Sequence, residues 1–290
     1  GKGAVSNTGE ARVAMAVEGK GANSLEIANL VTFLEKGFGE NPVVQFIHHY
    51  EDLFFSALIL VFLLIFVAIS ARKHELIPEG LQNFMEWVVE SINAFFGAIL
   101  GKHGKPYLPY VGSLFLYIFV MNMSGLIPGM KSPTTNLNTT VALALTVFIT
   151  VQYTGIRKLG IGGYLFHLLG RPQDMTGYLL VPLMFPLNLV LEVFLPPVSL
   201  SLRLFGNIFG GDTLIGAMVM LGVAVFAYFG IPGGFPFQLP FLLLELLLGT
   251  IQALIFSLLA SVYILSVLPH EGEHYVVTEE EIVHEKGGSH

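Results

Sequence analysis

The sequence contains no cysteine. Disulfides and thiolate metal sites are therefore excluded, and the redox compartment leaves no trace. Charge is also scarce. Only 12% of the 290 residues are Asp, Glu, Lys or Arg, about half the share usual in soluble domains. Lysine and arginine are few and unclustered, which speaks against nucleic-acid binding. No phosphate loop of the G-x-x-x-x-G-K type occurs, so nucleotide hydrolysis by this chain is not expected. No internal repeat is visible, which argues against transporters built from two similar halves.

What fills the sequence instead is apolar. Hydrophobic residues make up 53%, and the mean hydropathy is +0.71. Such a composition points to a polytopic membrane protein. The net charge of -7 is uneven: residues 271–290 carry six glutamates and one lysine, and the rest is near neutral. The first residue is glycine, and a removed presequence or a trimmed start would both fit. The reading is an N-terminal periplasmic segment (1–50), a membrane domain (51–268) and an acidic cytoplasmic tail (269–290).

Charge-free runs locate the spans, since about 20 apolar residues cross a bilayer core. Leu53–Ala71 is the first. Leu81–Leu100 has two glutamates and the only tryptophan, and reads as an amphipathic helix at the interface or packed on the bundle. Pro106–Met130 holds the second span, Lys131–Asn138 a polar turn, and Val141–Ile156 the third. A Gly-rich connection follows. The stretch 175–229 is too long for one perpendicular crossing, and Pro182, Pro186, Pro196 and Pro197 interrupt its first half. Val198–Phe229 could form one helix about 48 Å long, which must tilt. Phe241–Leu268 is the last helix. The expected fold is all-α: about five transmembrane helices plus an amphipathic interfacial one, with the last two long and strongly tilted. Arg72, Lys73, Lys102, Lys105, Arg157, Lys158 and Arg171 then fall on one side. This puts the N-terminus outside and the C-terminus in the cytoplasm.

Glu192, Arg203, Asp212 and Glu245 lie inside the last two apolar blocks. Each costs at least ~2.5–3.5 kcal/mol at the bilayer centre. Pairing among themselves or placement near the interfaces is the bland account. Arg203 and Asp212 are nine residues apart, on opposite faces of a helix, so they are not a local ion pair. Ser199, Arg203 and Asn207 share a face, and Gly206, Gly210 and Gly211 permit close helix approach. On the last helix Glu245, Gln252 and Tyr263 form a second stripe. A mid-span glutamine is costly without a partner, and interhelical glue and a functional role both fit it.

The run "SLRLFGNIFGG" (201–211) resembles subunit a of the F-type ATP synthase, bacterial type. So do "MNMSGLIPG" (121–129), "TNLNTTVALAL" (135–145) and "GTIQALIFSLLASVYI" (249–264). The resemblance covers about residues 45–268. It implies an ion (proton) translocating stator subunit with two aqueous half-channels, without catalysis of its own and without cofactor or metal. Its implied partners are the c-ring, b-type peripheral stalk subunits, the F1 sector indirectly and the lipid bilayer of a bacterial inner membrane.

By that resemblance Arg203 faces the essential carboxylate of each passing c-subunit. The physics agrees: a carboxylate in lipid stays protonated, and beside a fixed cation it releases its proton. Arginine keeps its charge where lysine could lose it. The resemblance places Asn207, Asp212, Glu245, Gln252 and Asn122 along the proton path, with Glu192 on its inner side. Ser199 and Tyr263 join on their helix faces. Asp212 and Glu245 would share the outer route and relay a proton. An acid common in relatives is replaced here by Gly125. The alternatives are a secondary transporter using Arg203 for an anionic substrate, and a scaffold that tolerates its loss. A metal site among His48, His49, His270, His274, His284 and His290 is not expected.

Overall fold

The computed structural model describes residues 46, 50–70, 80–127, 129–170, 175–229 and 234–268. Nearly all of the N-terminal segment, the acidic tail, and the orientation-setting Arg72, Lys73 and Arg171 lie outside the described residues. His48, His49, His270, His274, His284 and His290 lie there too.

Every regular element among the described residues is helical. They are α1 (Glu51–Ser70), α2 (Leu81–Gly104), α3 (Leu108–Ser124), α4 (Leu137–Leu168), α5 (Met175–Asn188), α6 (Leu195–Tyr228) and α7 (Leu239–Ser266). Short 3₁₀ turns join α2 to α3 (Lys105–Tyr107) and precede α4 (Pro133–Thr135). Five helical stretches are long and apolar enough to cross a membrane. Large apolar side chains such as Leu53, Leu64, Leu183 and Leu243 lie exposed, the surface of a protein whose solvent is lipid. The chain forms an all-α polytopic membrane protein.

The chain divides into two compact units. One comprises residues 1–65, 117–139 and 204–253, the other 66–116, 140–203 and 254–290. In the first unit, Glu51 and Asp52 sit in the first turn of α1, where they meet the positive end of the helix dipole. Asp52 also accepts a 2.5 Å hydrogen bond from Asn136 Nδ2 and pairs with Lys131 at 3.6 Å. The start of α1 is thus tied to the loop before α4. Ser56 Oγ meets the Tyr117 hydroxyl at 2.6 Å, joining α1 to α3. At the other end of α6, Phe235 N donates to Gly222 O at 3.2 Å.

In the second unit α2 packs on α3. Phe96 and Phe115 rings stand 5.9 Å apart, and Gly112 leaves room for Ile92. Trp87 remains 63% exposed. Of the two placements open to this amphipathic helix, packing against the bundle is what the structure supplies. The helix also runs four residues further than expected, through a backbone break at Gly101 (φ 58°, ψ -161°).

Two further differences concern breaks. The third span does not end near residue 156. α4 continues to Leu168 across a break at Gly160 (φ 69°, ψ 164°), a conformation open to glycine and closed to most residues. The Gly-rich connection is therefore largely helical. Prolines 182 and 186 lie inside α5, and 196 and 197 lie in the first turn of α6. Between the two proline pairs lies a π-helical turn, Leu189–Phe194. α6 itself is 34 residues long, so the single long helix starts three residues before the expected Val198.

A Cβ on Gly222 would lie 2.1 Å from the Phe235 carbonyl oxygen, so the loop can approach only a glycine. Gly222→Ala is expected to destabilise the protein by about 1–3 kcal/mol, the usual cost of overpacking. Gly97→Ala, whose Cβ meets nothing within 4 Å, is the control. Thermal unfolding in detergent checks this, with a lower midpoint for Gly222→Ala alone.

Candidate functional site

In the first unit three helices converge on Gly249 of α7. A Cβ there would lie 3.0 Å from Met123 Cε, 3.3 Å from Asn122 Cβ and 3.8 Å from Ile208 Cδ1. The glycine lets α3 come this close to α7, while Ile208 of α6 stands at ordinary contact distance. Asn122, 2% exposed, donates from Nδ2 to the Gly249 carbonyl at 2.9 Å. Its Oδ1 accepts from Thr134 Oγ1 at 2.9 Å. Ser132 Oγ contacts Thr134 Oγ1 at 2.7 Å. The stretch expected to be a solvated polar turn thus has Ser132, Pro133 and Thr134 buried.

The two acids of this unit come together. Glu245, 5% exposed, faces Asp212 closely enough for the two carboxyl groups to interact, and its Oε2 is buried without a hydrogen-bond partner. Gly211 makes room: a Cβ there would lie 3.1 Å from the Glu245 carboxyl carbon. Asp212 Oδ1 stands at ordinary contact distance, 3.6 Å, from the place a Cβ on Gly125 would take, and Ser132 Cβ is nearer at 3.0 Å.

Beside this pair lies a half-open cavity of about 240 Å³, lined by Asn207 and Glu245 and otherwise by glycines and apolar side chains, Leu214, Phe241, Leu244 and Leu248 among them. That volume has room for several waters, and two of its lining side chains offer polar groups. Asn207 Nδ2 donates to the Leu248 carbonyl at 3.4 Å. Gln252, 4% exposed, keeps a buried Nε2 without an acceptor, a costly arrangement in an apolar bundle.

The second unit holds the other expected residues. Arg203 is exposed on α6. Its neighbour Leu202 is 52% exposed, while Leu204 is buried. Ser199 and Tyr263 are half-buried. Glu192 sits in the π-helical turn, half-buried. Sequence reasoning missed Gln152 and Tyr164, whose hydroxyl donates to Gln152 Oε1. It also missed Ser132 and Thr134, because hydroxyls among prolines and asparagines look like ordinary turn residues. No group of three His, Cys, Asp or Glu that could hold a metal occurs among the described residues.

The fold and these sites define a polytopic membrane protein with ionisable and amide groups buried between its long helices. The family model for the ATP synthase A chain matches residues 53–265. Subunit a of Protochlamydia amoebophila is 42% identical over 248 residues, covering 86% of this chain and 91% of the relative. That of Moorella thermoacetica is 42% identical, covering 71% of this chain and 85% of the relative. That of Solidesulfovibrio magneticus is 38% identical, covering 73% and 81%. This chain belongs to the ATP synthase subunit a family, a membrane component rather than a catalytic subunit.

Thr134→Val keeps the shape and deletes the hydroxyl bonded to Asn122. It is expected to cost about 1–3 kcal/mol, because a buried oxygen loses its donor, while Thr134→Ser retains most of the stability. Thermal unfolding of the detergent-solubilised protein checks this. Equal midpoints for all three would show that the bond contributes nothing.

Proposed function

We propose that this chain is the proton-translocating stator of an F-type ATP synthase, with Arg203 opposing the carboxylates of a c-ring. The carrying observation is the Asp212–Glu245 carboxyl pair beside a cavity large enough for water. In this reading the pair and Asn207 line the outer half-channel, and Gln252 and Asn122 support it. Glu192 and Ser199 line the inner one, and Tyr263 continues the polar face of α7. A proton reaches the pair through water, passes to a c-ring carboxylate, and leaves on the inner side after rotation.

The exposure of Arg203 supports its role. A permanently charged side chain on an apolar helix face needs a partner there. Leu202, next to it on the same helix, is 52% exposed, which gives a lipid-bound or ring-bound partner an apolar surface beside the charge. The c-ring carboxylate loses its proton beside the guanidinium. The guanidinium also bars direct passage of protons between the half-channels. In this reading the N-terminus is periplasmic, the tail cytoplasmic, and b-type stalk subunits and the F1 sector complete the assembly.

The test is ATP-driven proton pumping in inverted membranes. Arg203→Ala is expected to abolish pumping while the complex stays assembled, and to raise passive leak once the soluble ATPase is stripped. Asp212→Asn combined with Glu245→Gln is expected to abolish pumping without raising the leak. Normal pumping and no leak in Arg203→Ala would favour a scaffold instead.

A further inference from the structure

The cavity beside Glu245 is larger and more apolar than water alone requires. Its volume is about 240 Å³, and an apolar cavity of about 150 Å³ already takes up a benzene ring. There is room here for a ring and a short alkyl chain. The walls suit both: Leu214 on α6 and Phe241, Leu244 and Leu248 on α7 present apolar surface. Gly206 and Gly210 leave the α6 wall bare, since a Cβ on either would meet nothing within 4 Å. A glycine inside a helix costs about 1 kcal/mol against alanine, and at these two positions no packing contact within the chain requires one. What the two glycines supply is space.

Only two side chains bring polar atoms to the lining. Asn207 spends an amide N–H on the Leu248 carbonyl at 3.4 Å. Glu245 is 5% exposed, and its Oε2 is buried without a hydrogen-bond partner. The terminal torsion of a glutamate is broad and two-fold, so either oxygen can turn to the cavity. A carboxyl group between apolar helices is best answered by a donor that also carries positive charge, because that donor compensates the ionised form. None of the cavity's lining residues is basic, so the wall leaves that role to a ligand. An anion would meet the carboxyl with nothing to offset it.

We propose that this cavity is a binding site for a small hydrophobic amine, with the ammonium on the Glu245 carboxyl and the apolar body against Leu214, Phe241 and Leu248. Apolar contacts supply most of the affinity, and the single carboxyl sets the head-group preference, as in small-molecule pockets generally. A bound amine displaces water and occupies the carboxyl that would pass a proton, so it blocks flux. The binding follows from the cavity alone. The block rests on the reading of Glu245 as part of the outer path.

The test uses the purified, assembled complex and a phenylbutylamine carrying a photoreactive diazirine on its ring, with the labelled residues mapped by peptide mass spectrometry. Labelling is expected on the cavity walls, at Leu214 or between Phe241 and Leu248. Unlabelled phenylbutylamine should compete at a concentration about tenfold or more below that of phenylbutanol, the factor that one charge-assisted hydrogen bond supplies. Phenylbutanoate should not compete. Glu245→Gln should remove the advantage of the amine over the alcohol. Gly210→Val, which puts a side chain into open space and leaves Glu245 intact, should reduce labelling at these walls. No labelling of the walls, or equal competition by amine and alcohol in the parent, overturns the inference. ATP hydrolysis by the same complex, where no gradient exists for a weak base to collapse, is expected to slow over the same concentrations. Labelling without slowing keeps the site and contradicts the reading of the cavity as part of the outer path. If Asp212→Asn with Glu245→Gln abolishes pumping while the parent's walls are not labelled, this inference alone fails.

Discussion

Two carboxyl groups that face each other between apolar helices, Glu245 buried and Asp212 half-buried, cannot both be charged at small cost. The arrangement of the first unit follows from that constraint. Asp212 and Glu245 lie on different helices, and their meeting requires α6 and α7 to approach closely. Gly211 gives the room at Glu245. Gly249 lets α3 join them, and Asn122 locks that junction with bonds to the Gly249 carbonyl and to Thr134. Small residues are thus placed where polar groups must fit between apolar helices, which is how membrane bundles trade side-chain volume for proximity.

The second unit solves a related problem with backbone breaks. Glycine at 160 and the π-helical turn at 189–194 each redirect a helix without leaving the helical hydrogen-bonding regime for long. A membrane interior demands this economy, because an unsatisfied peptide group there has no water to turn to. The breaks fall beside Tyr164 and Glu192, the polar side chains of that unit with the most specific settings.

Much of this could be read from the sequence. Charge-free runs located the spans, because lipid exposure leaves no choice about composition over 20 residues. The ionisable residues stood out against that background for the same reason; of the three glycines read as sites of close helix approach, Gly211 has Glu245 against it, while a Cβ on Gly206 or Gly210 would meet nothing within 4 Å. Three things were not legible. A buried hydroxyl such as Thr134 has the same sequence signature as an exposed one; only the fold of its loop decides. The helical run through Gly160 was read as a connection, because glycine marks turns far more often than breaks within helices. The Gln152–Tyr164 bond joins residues whose spacing has no helical period, since the chain reverses between them. That the Asp212 and Glu245 side chains meet also depended on the packing of two helices that the sequence lists far apart.

The absence of cysteine makes the central claim, that the space beside Glu245 is aqueous, directly measurable. Leu248→Cys would place one thiol on the cavity wall. Leu243→Cys, at a position 70% exposed on the same helix and not among the cavity's lining residues, would place one toward lipid. The measurement is the reaction rate of each with a small, water-soluble thiol reagent in the assembled complex, with proton flux followed in parallel. The account predicts fast labelling at 248 with loss of flux, and slow labelling at 243 without it. Slow labelling at both positions would mean the cavity is dry, and would contradict the account.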